Sequence, residues 1–269
     1  HGRNYVEETY KRPFLDRLFR NILSFVLPRP KAFLLMAISS KIIKPFSFLF
    51  PKFLRNAINL MPDKIPSKQL EEKKVYEIKK GKKISRVALL TGCVQRVISP
   101  EINESTIRLL NRHNVEVVVM PDIYCCGSLN HHLGKQKLAH ESFKNNINSW
   151  HDEYFNNGLD AIISNTSGCG TTLKDYGHIF KDDKDLKKKA KKISELTKDI
   201  TEFLDENLKL NINVNTEKKY KIAYHSACSM QHGQKVHQQP KDLITKTGNE
   251  VLEIPEGHLC CGSAGTYNI

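Results

Sequence analysis

Two stretches of this chain carry the same cysteine spacing. Cys93 is followed, after 31 residues, by Cys125-Cys126-Gly127, and Cys228 is followed, again after 31 residues, by Cys260-Cys261-Gly262. The seventh and last cysteine, Cys169, trails the first copy within Thr166-Ser167-Gly168-Cys169-Gly170. Seven thiols confined to one repeated pattern point to ligation or redox work and not to packing. The 135-residue offset between the copies implies a duplicated unit. An odd count with two adjacent pairs fits a disulfide framework poorly: neighbouring cysteines rarely bridge each other, and a chain of 269 residues buries enough core to need no staples. Four thiolates can hold zinc or an iron–sulfur cluster. Structural zinc draws mostly on two short Cys-x-x-Cys knuckles, which are absent here, whereas adjacent thiolates with long spacers favour a larger inorganic core. A thiol–disulfide relay between Cys125 and Cys126 is a third chemistry open to the pattern.

From Arg86 onward the sequence alternates strand and helix signals. Short β-rich runs fall at 86–90, 115–120 and 160–164, with helical periodicity at 101–113 and 133–157 and a polar, Lys-rich helix expected over 183–208. The pattern restarts at 219–224, with a helix after Pro240 and a strand at 250–254. Strands interleaved with helices predict an α/β fold with a largely parallel sheet. Cys93, Cys125-Cys126 and Cys169 each follow a strand, so three loops at the carboxyl edge of that sheet would bring four thiols together. Gly92, Gly127, Gly168, Gly170, Gly262 and Gly265 flank these positions, as tight loops around a bulky ligand require.

Residues 1–64 differ from the rest. They hold 12 Lys and Arg against four Asp and Glu, and helical spacing sets Phe14, Leu18, Ile22 and Phe25 on one stripe. Pro28, Pro30, Pro45 and Pro51 divide the segment into short helices. The apolar run from Ala32 to Ser39 is too short to span a bilayer. The expected role is docking on a neighbouring domain, with a basic amphipathic surface on a membrane as the alternative. Residues 65–85 read as a polar linker. The net charge of +13 suits an anionic membrane surface or an acidic partner protein as well as plain solvation. Nucleic acid is not an expected partner, since the lysines are not interleaved with aromatics in a reading module.

The wording around the cysteines is specific. Thr91-Gly92-Cys93-Val94-Gln95, Cys125-Cys126-Gly127-Ser128-Leu129 with His132, Gly168-Cys169-Gly170 with Lys174-Asp175-Tyr176-Gly177, Tyr224-His225 with Cys228, Gln231-His232-Gly233-Gln234, and Cys260-Cys261-Gly262-Ser263-Ala264-Gly265 resemble the cysteine-rich CCG domain family. Heterodisulfide reductases share that domain, and the wording is most similar to iron–sulfur subunits of glycolate oxidases (glycolate dehydrogenases). The resemblance implies two tandem Rossmann-like CCG units, 86–210 and 219–269, after a basic helical segment that follows a ferredoxin-like domain. No cysteine precedes Cys93 and the counterpart of Cys169 would fall past Ile269, so the chain is expected to be part of a longer protein. It implies Cys93, Cys125, Cys126, Cys169, Cys228, Cys260 and Cys261 as ligands of an iron–sulfur cluster of the [4Fe–4S] type.

Further implications are a non-catalytic electron-transfer role, an FAD-binding glycolate oxidase subunit as partner, and a quinone or other membrane acceptor. The location implied is cytoplasmic, peripheral on the inner face of a bacterial plasma membrane. Related lactate, glycerol-3-phosphate and heterodisulfide oxidoreductases, and a non-redox metal-binding scaffold, remain alternatives. Thr166 stands where the family has the leading cysteine of a Cys-x-x-Cys, leaving four thiols in the first unit for an ordinary four-thiolate cluster or a vestigial site. His132, His225 and His232 suit hydrogen-bonding partners of a site better than ligands. Lys174, Asp175 and Tyr176 are expected in the first turns of a helix after Cys169.

Overall fold

The computed structural model describes residues 2–62, 65–66, 75–208, 210 and 218–259. The chain begins with helices α1 (Gly2–Thr9), α2 (Phe14–Val26) and α3 (Pro30–Ile43), a 3₁₀ turn (Lys44–Leu49) and α4 (Lys52–Asn59). Proline opens four of these segments: Pro13 precedes α2 and Pro51 precedes α4, while Pro30 and Pro45 occupy the first turns of α3 and the 3₁₀ segment, where a missing N–H costs nothing. The stripe of Phe14, Leu18, Ile22 and Phe25 is exposed and packs on none of the described residues' cores. Polar groups join this segment to the helices of the first sheet. The buried Ser24 donates to Asn130 Oδ1 at 2.7 Å, Arg20 donates to the Leu133 carbonyl at 2.8 Å, and Glu7 pairs with Lys135 at 2.8 Å. The apolar run at 32–39 also proves to be part of a longer element. Pro30–Leu49 is a 20-residue helical stretch of mean hydropathy 1.5, long and apolar enough to cross a membrane by length and composition alone. Phe33, Ala37 and Ser40, one stripe of α3, are buried, while Leu35, Ile38 and Ile42 are exposed.

The first sheet contains β1 (Val75–Tyr76) and β2 (Ser85–Leu90). Helices α5 (Gln95–Ile98) and α6 (Pro100–Arg112) lead into β3 (Val115–Val118), and α7 (Ser128–His132) and α8 (Gln136–Asn157) into β4 (Ala161–Ser164). Then follow α9 (Ser167–Lys174), α10 (Tyr176–Ile179), α11 (Lys187–Leu196), β5 (Thr197–Asp199) and α12 (Ile200–Asn207). The strand order is β1-β3-β2-β4-β5. All neighbours are parallel except β1 and β3, so the fold is α/β with a largely parallel sheet. Part of the expected linker is therefore an edge strand.

The central strands read as unbroken apolar runs because both faces are covered. Ala88, Leu90 and Ile162 face Phe143, Ile147, Trp150, Tyr176 and Ile193 from α8, α10 and α11. Val87, Leu89, Val117 and Ile163 face Ile107, Leu110, Phe203 and Leu204 from α6 and α12. The expected single helix over 183–208 is two helices split by β5, which pairs Thr197 with Ile162 and Asp199 with Ser164. A capping box restarts the chain as α12: Asp199 Oδ1 accepts from Thr201 N at 2.9 Å and Glu202 Oε2 from Asp199 N at 2.7 Å.

The second unit, as described, is β6 (Lys221–Ala223), a π-helical turn (Ser229–Gln234), α13 (Gln238–Lys246) and β7 (Glu250–Leu252). The two strands pair in parallel, the start of another strand–helix–strand unit. The π turn packs closely on α9. Gln234 Nε2 donates to the Ser167 carbonyl at 2.9 Å, and Thr171 Oγ1 donates to that of Ser229 at 2.9 Å. Glycines make this approach possible. A Cβ at Gly170 would sit 2.6 Å from Gln234 Nε2, and one at Gly233 would sit 2.8 Å from Thr171.

Candidate functional site

The carboxyl ends of β2, β3 and β4 carry the four thiols of the first unit. Cys93 lies three residues past the end of β2, in a turn entered through Gly92 at φ +73°. Cys125 and Cys126 close the loop after β3 and lead through Gly127, at φ +79°, into α7. Cys169 lies inside the first turn of α9 and not in a loop ahead of it; Lys174 ends that helix, Asp175 follows it, and Tyr176 opens α10. The expected order of cysteine first and helix after is thus corrected, because the helix already starts at Ser167.

The structure brings these thiols together. Hydrogen bonds link Cys93 to Cys125, Cys125 to Cys126, and Cys126 to Cys169. Cys125 is the shared acceptor. The thiols of Cys126 and Cys93, with the Gly127 N–H at 3.3 Å, hold its ionisation down to about 4 against the opposing effect of burial. Hydrogen bonding to Cys125 and then burial push Cys93 up, while bonds to Cys125 and Cys169 and burial push Cys126 up. Of Cys93, Cys125 and Cys126, Cys125 is the thiol whose ionisation is favoured. A 190 Å³ cavity, lined by Pro28, Arg29, Tyr124, Asn130 and Asn146 among others, opens onto that residue. In mildly acidic buffer, iodoacetamide should modify Cys125 of the metal-free protein before Cys93 or Cys126, because the thiolate is the nucleophile. Peptide mass spectrometry across a pH series reads this; first labelling at Cys93, or onset only in the alkaline range, would contradict the assignment.

The surrounding polar groups hold the loops. Gln95 Nε2 donates to Asn103 Oδ1 and to Asn165 Oδ1, each at 2.9 Å, and Gln95 Oε1 accepts from Thr166 Oγ1 at 2.8 Å. Asn103, fully buried, donates to the Thr91 carbonyl at 2.8 Å. Thr166, the position without a thiol, therefore ties the β4–α9 turn to the Cys93 turn. On the other side Tyr176 donates to the Cys126 carbonyl at 2.8 Å, and Asn146 donates to the Cys125 carbonyl at 2.8 Å. None of Gln95, Asn103, Asn146 or Asn165 stands out in sequence, since a lone amide carries no spacing pattern. Among the histidines, His132 Nδ1 meets Arg3 at 2.6 Å, His232 meets the His258 carbonyl at 3.2 Å, and His225 is exposed.

Of the second unit's thiols, Cys228 precedes the π turn; Cys260 and Cys261 lie outside the described residues. Ser229, next to Cys228, bonds Ser167 Oγ at 2.8 Å, two residues from Cys169. Of the flanking glycines, Gly92 and Gly127 meet the expectation of left-handed turns, whereas Gly168 and Gly170 lie in α9 and Gly170 is small for Gln234.

The donor set suits a thiolate-bound inorganic group: four sulfurs, one shared edge, and a backbone N–H already aimed at one of them. Two buried hydroxyls, Thr91 Oγ1 and Ser226 Oγ, each two residues before a leading cysteine in sequence, have no partner among the described residues. The thiols are joined in sequence and do not surround one point; among the described residues no group of three or more His, Cys, Asp or Glu is set to hold a metal ion.

A largely parallel α/β sheet with four thiols at its carboxyl edge defines a cysteine-rich domain. The chain belongs to the cysteine-rich CCG domain family, which matches residues 87–174 and 222–269, just over half of its length. It is 33% identical over 266 residues to the glycolate oxidase iron-sulfur subunit of Escherichia coli K12, covering 99% of this chain and 61% of that one. It is 29% identical over 222 residues to a probable glycolate oxidase iron-sulfur subunit of Bacillus subtilis 168, covering 82% and 49%. It is also 29% identical over 185 residues to lactate utilization protein A of Anoxybacillus flavithermus, covering 68% and 74%. The chain thus spans about half to three fifths of the two glycolate oxidase relatives. No solved structure matches it.

Proposed function

We propose that this chain is part of an iron–sulfur electron-transfer subunit of a glycolate-oxidising complex, itself non-catalytic. The gathering of Cys93, Cys125, Cys126 and Cys169 at one sheet edge carries the reading. These four would hold a [4Fe–4S] cluster in a first unit over 86–210, and Cys228, Cys260 and Cys261 would contribute to a second in a tandem Rossmann-like unit over 219–269. When bound, such a group supplies one-electron storage. The chain's own residues orient the sulfurs through Gln95 and Tyr176, and bury Cys126 away from water.

Electrons would come from an FAD-binding partner and leave toward a membrane acceptor such as quinone, with the protein on the cytoplasmic face of the plasma membrane. The exposed Phe14, Phe25, Leu35, Ile42, Phe46 and Phe48, beside Arg17, Lys31 and Lys41, support contact with an anionic lipid surface. A lactate-oxidising complex is the second reading, favoured by the similarity to lactate utilization protein A.

Anaerobic purification followed by iron and acid-labile sulfide assays tests the proposal. Iron and sulfide in matching amounts are expected; colourless protein with stoichiometric zinc and no sulfide would replace it with a structural metal module. Turnover of glycolate against lactate and glycerol 3-phosphate by the co-purified flavoprotein separates the two readings. Co-sedimentation of the complex with anionic vesicles, with and without residues 1–64, tests the lipid contact.

A further inference from the structure

Thr91 and Ser226 occupy the same place in the two units. Each stands two residues before the leading cysteine of its unit, Cys93 or Cys228; Thr91 directly follows β2 and Ser226 lies three residues past β6. Each carries a side-chain hydroxyl that is shut off from solvent and has no hydrogen-bond partner among the described residues. A buried hydroxyl without a partner is costly, and natural sequences seldom keep one without a reason. Here the same cost recurs at equivalent positions of a duplicated fold.

The surroundings of Thr91 sharpen the point. Its carbonyl is taken by Asn103 Nδ2 at 2.8 Å. Asn103 Oδ1 is taken by Gln95 and by Asn165, and Gln95 Oε1 by Thr166. The network beside the Cys93 turn is closed, and Thr91 Oγ1, on a residue only 1% exposed, is left out of it. Valine has the same shape and no hydroxyl, so packing alone does not call for threonine. The iron–sulfur reading supplies an acceptor-rich group at this edge, whose sulfurs a hydroxyl can donate to.

We propose that the hydroxyls of Thr91 and Ser226 are positioning and tuning donors, one per unit, each hydrogen-bonding a sulfur of the group bound beside it. The inference rests on the iron–sulfur reading given above. A hydroxyl donor stabilises the more negative, reduced state of a sulfur-ligated group and so raises its reduction potential. The group that the donor serves also removes the penalty of its burial.

Those two effects have opposite signs, and this makes the test decisive. In the full complex, Thr91→Val is expected to lower the reduction potential of the first-unit signal in an EPR-monitored titration. Thr91→Ser should restore it, and Ser226→Ala should move the second-unit signal instead. In the metal-free protein, Thr91→Val is expected to raise the thermal midpoint, since it removes an unpartnered hydroxyl and keeps the shape. A potential unchanged by both Thr91→Val and Ser226→Ala overturns the proposal and assigns the hydroxyls to buried water. A lower thermal midpoint in metal-free Thr91→Val overturns it as well, because the hydroxyl then has a partner within the chain. Wild-type protein free of iron and sulfide would sink the iron–sulfur reading itself; the metal-free measurement still reports whether the hydroxyl is unpartnered.

Discussion

Gly127→Ala is expected to destabilise the metal-free protein by about 3 kcal/mol, the sum of a backbone and a packing cost. Gly127 sits at φ +79°, where a Cβ meets its own carbonyl. That Cβ would also lie 2.5 Å from Phe143 Cε1, 2.7 Å from Cδ1 and 3.3 Å from the Ala139 carbonyl. Phe143 is fully buried and cannot retreat: the Tyr176 ring lies 4.9 Å away, and those of Phe180 and His140 at 6.3 and 5.9 Å. Gly92→Ala separates the two costs. Gly92 has a similar φ of +73° and its Cβ would meet only Gln95 Cβ at an ordinary 3.6 Å, so only the backbone cost of about 1 kcal/mol applies there. Urea unfolding of both variants measures the difference. Equal losses at the two positions would mean that Phe143 does give way, and that the Cys125-Cys126 turn is not pinned by the core.

The second large effect concerns composition instead of stability. Cys125→Ser should leave the protein folded and strip the first unit of its iron and sulfide. Cys125 is the sulfur that both Cys93 and Cys126 contact, so its loss breaks the thiol set at its centre. Serine still accepts a hydrogen bond from the Gly127 N–H, which keeps the turn in place. Cys228→Ser, in the other unit, should spare the first-unit signal. Iron, sulfide and EPR measured on the two variants, with circular dichroism as the control for folding, check this. Full retention of cluster in Cys125→Ser would remove Cys125 from the ligand set.

Much of this arrangement was legible in the residues. The apolar runs at 86–90 and 160–164 announced buried parallel strands, and the repeated cysteine spacing placed thiols just past strand ends. Gly127 stood out as the residue of a left-handed turn. Other features could not be read this way. Thr197–Asp199 is a strand only because β4 offers it an open edge, and its local composition looks like helix. The stripe of Phe14, Leu18, Ile22 and Phe25 has the periodicity of a docking face and is exposed here, while α2 meets the first unit through Arg20 and Ser24. Periodicity reports that a face is apolar, not what covers it.

The chain alone settled that Cys93 and Cys125-Cys126 follow strands, that the cysteine spacing is repeated, and that the sheet is largely parallel. These are matters of residue type, spacing and period, each carried within a few turns or strands. The tertiary structure decided which thiols contact one another, why Gly170 and Gly233 must be small, and that Thr91 and Ser226 have no partners among the described residues. Those depend on atoms brought together from distant parts of the chain, and only the folded contacts set the distances between them.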